Sequence, residues 1–253
     1  MTDDPRALLA LALADDEHVL GARHVQWTGV APHLEEDLAF SSIGQDEIGH
    51  AVVWYSLAAE RTGSEPDVLA LGRRPDEYRH AVLVERPNGD WGYTIARHLL
   101  FDLAEDVRLP VLAASSWTAL GDATGALRRE ERYHLLHARA WLTRLAGGPP
   151  EARARLRAGL AAAYPEAVGL FEPFAAEGEL LADGTLAVAS EALRERWDGA
   201  VAAELAPLGL GDVVDRGLRP AAPGGRQGHH SADFTELWTE MTALYRSDPA
   251  ARW

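Results

Sequence analysis

The chain has 253 residues, of which 47% are hydrophobic and 25% charged, values that are ordinary for a globular protein. Its formal net charge is −15, and a surface this acidic repels nucleic acid and anionic membranes, so neither is an expected partner. Cysteine is absent, which excludes disulfides, thiolate catalysis, zinc fingers and iron–sulfur clusters. Any bound metal must be held by His, Asp and Glu, a donor set suited to iron, manganese or zinc.

The N-terminal stretch MTDDPRALLALALADDEH places acidic residues before a short apolar run. A signal peptide instead begins with basic residues and ends in a cleavage site, and a membrane span needs about 20 apolar residues. Neither pattern is present here. We therefore expect a cytoplasmic protein.

Ala, Leu, Glu and Arg recur along the chain with apolar residues spaced three and four apart, which predicts helices. The predicted helices lie near residues 5–29, 34–62, 75–85, 91–118, 121–146, 150–163, 186–206 and 231–247. The Gly- and Pro-rich stretch from Arg219 to His230 is predicted to be a loop or linker. Four long helices in residues 1–146 predict a four-helix bundle, to which residues 147–253 add further helices. The expected fold is a single all-α domain over residues 1–253.

Two of the long helices carry the same Glu-x-x-His pair. One pair is Glu47 and His50 in QDEIGH, and the other is Glu131 and His134 in EERYH. Residues three apart lie on one face of a helix, so each pair can give a carboxylate oxygen and an imidazole nitrogen to one metal ion. One such pair alone would indicate a solvated helix surface, whereas two pairs indicate a metal site.

An acidic residue stands directly before each of these glutamates, Asp46 in one helix and Glu130 in the other. We expect each to reach across the bundle and accept the second N–H of the opposing helix's ligand histidine. Such a contact would fix the tautomer of that ring.

A carboxylate-bridged two-metal site needs one more carboxylate from each of the other two helices. Glu17 lies 30 residues before Glu47, and the turn predicted at Gly29–Pro32 falls near the midpoint between them. In an antiparallel pair of helices this spacing places the two carboxylates at the same depth. Glu17 is therefore the ligand predicted from the first helix.

In the fourth predicted helix, Glu105 lies 26 residues before Glu131, with a turn predicted at Ala119–Gly125 between them. Asp102, one helical turn earlier, is either a further ligand or a hydrogen-bond acceptor for one. The predicted metal ligands are Glu17, Glu47, His50, Glu105, Glu131 and His134. The alternative is that these acids form the solvated faces of amphipathic helices.

The pattern Glu…Asp-Glu-x-x-His…Glu…Glu-Glu-x-x-His resembles that of the ferritin-like di-iron oxygenases and the ribonucleotide reductase small subunits. Almost the whole chain also resembles the PaaC-type subunits of phenylacetyl-CoA monooxygenase, the ring-1,2-epoxidase of aerobic phenylacetate degradation. The shared blocks are LGARHVQWTGVAPHLEEDLAFSSIGQDEIGHA, VERPNGDWGYTIARHLLFD, EERYHLLHARAWLTRLAGG and PGGRQGHHSADFTELWTEM. Since RPNGDW, LLFD and GGRQGHH are not general di-iron features, they favour this family over ferritins.

The resemblance implies a ferritin-like bundle, a di-iron cofactor and dioxygen as co-substrate. It also implies an aromatic acyl-CoA substrate and three kinds of partner: a homologous catalytic subunit of PaaA type, a small accessory subunit and a reductase. Electrons would come from NAD(P)H through that separate reductase, because this chain has neither cysteine nor a Gly-rich dinucleotide motif.

In this family the PaaC-type subunit is generally regarded as structural, and some members have lost ligands. All six positions hold ligating residue types here, which puts a purely structural role in doubt. Four hypotheses stay open: a complex subunit with its own di-iron site, a scaffold subunit of the same complex, a stand-alone di-iron oxidase, and an iron-storage ferroxidase. About 100 residues after Ala146 argue against the last.

Overall fold

The computed structural model describes residues 2–214, 221–249 and 251. These residues form ten α-helices and short 3-10 turns and contain no strand, which confirms the all-α class. None of the helices in the described ranges is long and apolar enough to cross a membrane. The helices are α1 Pro5–Val25, α2 Leu34–Thr62, α3 Pro66–Leu71, α4 Val82–Glu85, α5 Trp91–Leu112, α6 Thr118–Ala146, α7 Pro150–Ala167, α8 Glu177–Ala182, α9 Ser190–Leu205 and α10 Ala232–Ser247.

The chain divides into two compact units. The first comprises Met1–Pro87, Phe174–Ala176 and Gly224–Trp253, and the second comprises Asn88–Pro173 and Glu177–Pro223. Each unit contains one pair of long helices joined by a short connection, α1 with α2 and α5 with α6. These are the two helix pairs from which a ferritin-like bundle is built. A single domain over residues 1–253 stays a prediction.

In the first unit, α1 and α2 form an antiparallel pair with well-defined ends. The Asp4 side chain accepts hydrogen bonds from the backbone N–H groups of Arg6 and Ala7 and so caps the start of α1. Helix α2 ends where Gly63 adopts a left-handed conformation with φ of 68°. These caps define the start of α1 and the end of α2, the two helices that carry Glu17, Glu47 and His50.

In the second unit, α5 packs against α6, α7 and α9. The Trp197 indole of α9 donates a hydrogen bond of 2.9 Å to the Leu100 carbonyl of α5 and stacks on Tyr164 of α7. The backbones of α5 and α7 come close together at Gly92 and Gly159. A Cβ added to Gly159 would lie only 2.6 Å from the Gly92 carbonyl oxygen. Backbone contact this close holds α5 between its neighbours.

The helix predicted over residues 75–85 is wrong in its middle part. The structure has a 3-10 turn at Pro75–Glu77 and the short α4, with a non-helical segment between them. Backbone N–H groups in that segment donate to buried carboxylates instead of helical carbonyls: Arg79 to Asp15 at 2.7 Å and Ala81 to Asp16 at 2.8 Å. Tertiary hydrogen bonds therefore replace the helical ladder.

The connection between α5 and α6 lies earlier than predicted. Helix α5 ends at Leu112 and α6 begins at Thr118, so the turn predicted at Ala119–Gly125 lies inside α6. The intervening residues bond elsewhere: the Ser116 N–H donates to the Gly184 carbonyl at 2.9 Å, and the Ser115 hydroxyl donates to the Thr185 carbonyl at 2.7 Å. These tertiary hydrogen bonds stabilise the non-helical conformation of the connection between α5 and α6.

The remaining differences concern short elements. Helices α3 and α8 were not among the predicted helices, since six residues are too few for a periodic apolar pattern. The predicted loop from Arg219 to His230 is present at residues 221–230, where it contains a 3-10 turn at Gly225–Gln227. Its first two positions, 219 and 220, lie outside the described residues.

Substitution of Gly159 tests the close approach of α5 and α7. We expect Gly159→Ala to lower the free energy of unfolding by about 1–3 kcal/mol, because backbone atoms of α5 must move to admit the methyl group. The matched control is Gly199→Ala on the exposed face of α9, where an added Cβ meets no atom within 4 Å. That substitution should raise stability by about 0.5–1 kcal/mol. Urea denaturation followed by circular dichroism measures both, and equal effects would contradict the packing described.

Candidate metal centre

The first unit brings three predicted ligands into its interior. Glu17, Glu47 and His50 are 3%, 1% and 2% exposed. The His50 Nδ1 atom of α2 lies 3.7 Å from the Glu17 Oε2 atom of α1. A carboxylate of α1 and an imidazole of α2 therefore lie beside each other in the interior of this unit.

A further buried histidine lies beside this group. His24 Nδ1 is 2.9 Å from Glu47 Oε2, and the His24 side chain is fully buried. Sequence reasoning gave His24 no place in the site. Its position could have indicated a place near the site, because His24 follows Glu17 by seven residues and residues two turns apart lie on the same face of a helix.

The second unit holds the other Glu-x-x-His pair in the same way. Glu131 and His134 are 5% and 2% exposed, and His134 Nδ1 lies 3.4 Å from Glu131 Oε1. Asp102 of α5 completes a group of three whose ligand atoms all lie within 4.8 Å of one another. Asp102 is itself buried, and its Oδ2 atom lies 3.3 Å from His98 Nδ1.

Glu105 is buried but has a different neighbour from the one predicted. Its Oε1 atom lies 2.5 Å from Arg108 Nη1 on the same helix, and Arg108 also donates to the Leu170 carbonyl at 3.1 Å. Asp102, by comparison, has a carboxylate oxygen within 4.8 Å of ligand atoms of both Glu131 and His134. Asp102 precedes Glu131 by 29 residues, nearly the spacing that separates the carboxylates of α1 and α2.

Glu105 and Glu131 nevertheless share a small cavity in the second unit. Its volume is about 60 Å³. It is lined by Glu105, Asp106, Leu109, Pro110, Arg128, Glu131 and Arg132. A cavity of this size holds a water molecule or a small diatomic molecule, whereas an aromatic ring is too large for it.

The two acids predicted to hold the ligand histidines differ in exposure. Asp46 is half-buried on α2 and Glu130 is exposed on α6. Their acceptor roles stay predictions. The predicted ligands and Asp102 are all buried.

Three consecutive acids on α1, Asp15, Asp16 and Glu17, are buried. The Asp15 carboxylate pairs with the Arg73 guanidinium and accepts a hydrogen bond of 2.6 Å from the Tyr55 hydroxyl. Burial raises the pKa of the Asp15 carboxyl, but the charge and hydrogen bonds of Arg73 and the bond from Tyr55 outweigh it, so the pKa lies below its usual value of 3.8. Asp15 is therefore ionised at neutral pH.

The neighbouring Asp16 is held by the Gly-rich loop. Arg226, 3% exposed, places its Nη2 atom 2.6 Å from Asp16 Oδ2 and also donates to the carbonyls of Ala12 and Arg79. Sequence reasoning missed Arg226, although GGRQGHH was already distinctive as a motif. Together with the Asp15 contacts, this ion pair fixes the turn of α1 that carries Glu17.

The buried donors of each unit, taken separately, fit an iron or manganese ion. Carboxylate oxygens and imidazole nitrogens suit such ions.

Removal of the Asp15 charge tests the network around α1. We expect Asp15→Asn to lower the free energy of unfolding at pH 7 by about 3–5 kcal/mol, because Arg73 loses its buried counter-charge. Asp3→Asn, at an exposed position, should change stability little. The folded-state pKa of Asp15 is depressed, so its contribution is present above pH 3.8 and is lost as the pH falls further. Urea denaturation at a series of pH values gives the difference in free energy of unfolding between the unmodified chain and Asp15→Asn. This difference should become smaller below that pH, and a difference that does not change with pH would contradict this assignment.

Two similarities to known proteins identify the family of this chain. A family model described as "Phenylacetic acid catabolic protein" (PaaA_PaaC) matches residues 2–253. The C-type subunit of 1,2-phenylacetyl-CoA epoxidase from Escherichia coli (strain K12) is 32% identical over 244 residues, which cover 96% of this chain and 97% of that protein. The chain therefore belongs to the family of phenylacetic acid catabolic proteins.

Proposed function

We propose that this chain is a subunit of a phenylacetyl-CoA 1,2-epoxidase complex of aerobic phenylacetate degradation and that it carries a metal site of its own. Near full-length similarity to the C-type subunit of the Escherichia coli epoxidase supports the first part. The second part depends on one observation: both Glu-x-x-His pairs are buried, and each has a further carboxylate from a neighbouring helix beside it.

The proposed ligands are three residues from each unit, Glu17, Glu47, His50, Glu105, Glu131 and His134. When bound, a di-iron centre would supply the reductive activation of dioxygen needed to put one oxygen atom onto an aromatic ring. The electrons would come from NAD(P)H through a separate reductase, because the chain has no cysteine to hold an iron–sulfur cluster.

The role of this chain's own residues is to hold the donor atoms and to exclude water. Tyr55 keeps its proton, because burial and the nearby Asp15 charge raise its pKa well above 10, and its hydroxyl donates a hydrogen bond to the Asp15 carboxylate. Arg73 and Arg226 neutralise Asp15 and Asp16, the two acids that directly precede Glu17. The proposed ligands are all buried, which limits the access of bulk water to the site.

The proposed partners are a homologous catalytic subunit, a small accessory subunit and the reductase, assembled in the cytoplasm. The proposed substrate is an aromatic acyl-CoA. A chain with a net charge of −15 is a poor sole binder of the CoA phosphates. We therefore expect basic residues of a partner protein to bind them.

A scaffold role in the same complex is the second candidate, and one observation favours it. The Arg108 guanidinium lies 2.5 Å from the Glu105 carboxylate inside the second unit. A buried cation bonded to a proposed ligand competes with a metal ion for that oxygen. If Arg108 holds Glu105 permanently, the second unit must supply Asp102 in its place or bind metal weakly.

Iron content tests whether the site binds metal. After anaerobic Fe(II) loading and removal of excess iron, we expect close to two iron atoms per chain. Glu131→Ala should reduce the iron content at least several-fold. Arg129→Ala, at an exposed position on the same helix, is the control and should change the content little. Less than about a tenth of an iron equivalent in the unmodified chain would overturn the metal-site proposal.

A reconstituted complex tests whether the site turns over. We expect Glu47→Ala to lower epoxidation of phenylacetyl-CoA by at least tenfold while the subunits still assemble, because a metal ligand is lost and the exterior of the chain is unchanged. Ile48→Ala, on the exposed side of the same turn, is the control for assembly. Full activity of the Glu47→Ala complex would leave only the scaffold role.

A further inference from the structure

The first unit contains a second group of metal-ligating side chains, made of residues that the bundle site does not use. His80 lies in the segment before α4, Glu85 is the last residue of α4, and His230 ends the Gly-rich loop before α10. Their side chains are 0%, 0% and 4% exposed. Three separate segments of the chain therefore bring two imidazoles and a carboxylate into the protein interior.

One carboxylate oxygen is the centre of this group. Glu85 Oε2 lies 2.8 Å from His80 Nε2 and 2.9 Å from His230 Nδ1. The three ligand atoms lie within 4.8 Å of one another. The two imidazole rings are nearly parallel, at 17°, with their centroids 4.0 Å apart.

The hydrogen bond of His230 Nε2 determines which nitrogen of this ring carries a proton. His230 Nε2 is 3.1 Å from the Tyr78 carbonyl oxygen, which can only accept, so Nε2 carries a proton. In a neutral ring, Nδ1 is then unprotonated and its lone pair faces Glu85 Oε2 at 2.9 Å. Two acceptors at that distance inside a protein repel each other unless a positive charge lies between them, either an additional proton or a metal ion.

The surrounding contacts match those of a metal site. Ligating histidines characteristically donate their other ring N–H to a carbonyl or carboxylate, and ligating carboxylates are themselves hydrogen-bonded. His230 donates to the Tyr78 carbonyl, and the Ser231 N–H donates to Glu85 Oε1 at 2.7 Å. The Phe234 ring lies against both imidazoles, with centroid distances of 4.3 and 4.9 Å, and shields the group from water.

We propose that His80, Glu85 and His230 bind a divalent transition-metal ion of the zinc type. Two imidazoles and one carboxylate are a common protein ligand set for zinc. Bound there, the ion would join α4 to the Gly-rich loop and the start of α10. Its role would be structural, because the group is enclosed by protein. This site does not depend on the proposed epoxidase function.

Zinc content measured in a background without the bundle site tests this proposal. The full-length chain carrying His50→Ala and His134→Ala, which removes one proposed ligand from each half of the bundle, is equilibrated with Zn²⁺ and desalted. We expect close to one zinc equivalent per chain. Adding Glu85→Gln or His230→Gln should weaken zinc binding at least tenfold. His229→Gln alters the exposed neighbour in the same loop and should leave zinc binding unchanged.

X-ray absorption at the zinc edge on the background chain provides a second measurement, which does not need the Glu85 and His230 variants to fold. We expect imidazole scattering from two histidines. Absence of bound zinc would overturn the proposal and would mean that an additional proton on His230 provides the positive charge. A zinc equivalent that survives Glu85→Gln in a folded chain, or one without imidazole scattering, would also overturn it.

Discussion

The structure depends on the burial of ionised side chains inside apolar helices. An uncompensated buried charge costs several kcal/mol, so each such group must be matched by a partner from elsewhere in the chain. Helix α1 shows this most clearly, because Asp15, Asp16 and Glu17 are consecutive and buried. Arg73 compensates the first and Arg226 the second. The third faces a histidine of α2, an arrangement that suits a metal ion.

This requirement also explains why irregular segments are ordered. The segment before α4 is not helical because its backbone N–H groups satisfy acids of α1. The Gly-rich loop is anchored by Arg226, and Gly225 permits it to lie against the chain, since a Cβ there would meet the His80 carbonyl oxygen at 2.3 Å. Long-range ion pairs thus hold the regions outside the long helices, while apolar packing holds the helices themselves.

The two proposed metal sites differ in what the helices contribute. In the bundle, the i, i+3 spacing of Glu47 and His50 fixes two ligands on one face before any tertiary contact forms. In the other group, Glu85 and His230 are 145 residues apart, and only the folded loop brings them together. A site of the first kind can be recognised from the sequence, whereas a site of the second kind requires the structure. The long helices and both Glu-x-x-His pairs were predictable because apolar periodicity and three-residue spacing are local properties.

The position of the connection between α5 and α6 was not predictable from local sequence, since it depends on contacts with distant residues. Hydrogen bonds from Ser115 and Ser116 to residues near 184 place that connection earlier than the sequence pattern indicates. His24, Arg226 and the group around Glu85 depend on contacts between distant segments, which no local pattern reports.

What the sequence leaves open is whether this chain, and not only its partner, holds metal in the assembled epoxidase. Anomalous X-ray diffraction at the iron edge from crystals of the reconstituted complex tests this most directly. We expect iron peaks within bonding distance of His50 and His134 of this chain; iron peaks in the partner, with none beside these two histidines, would contradict the proposal.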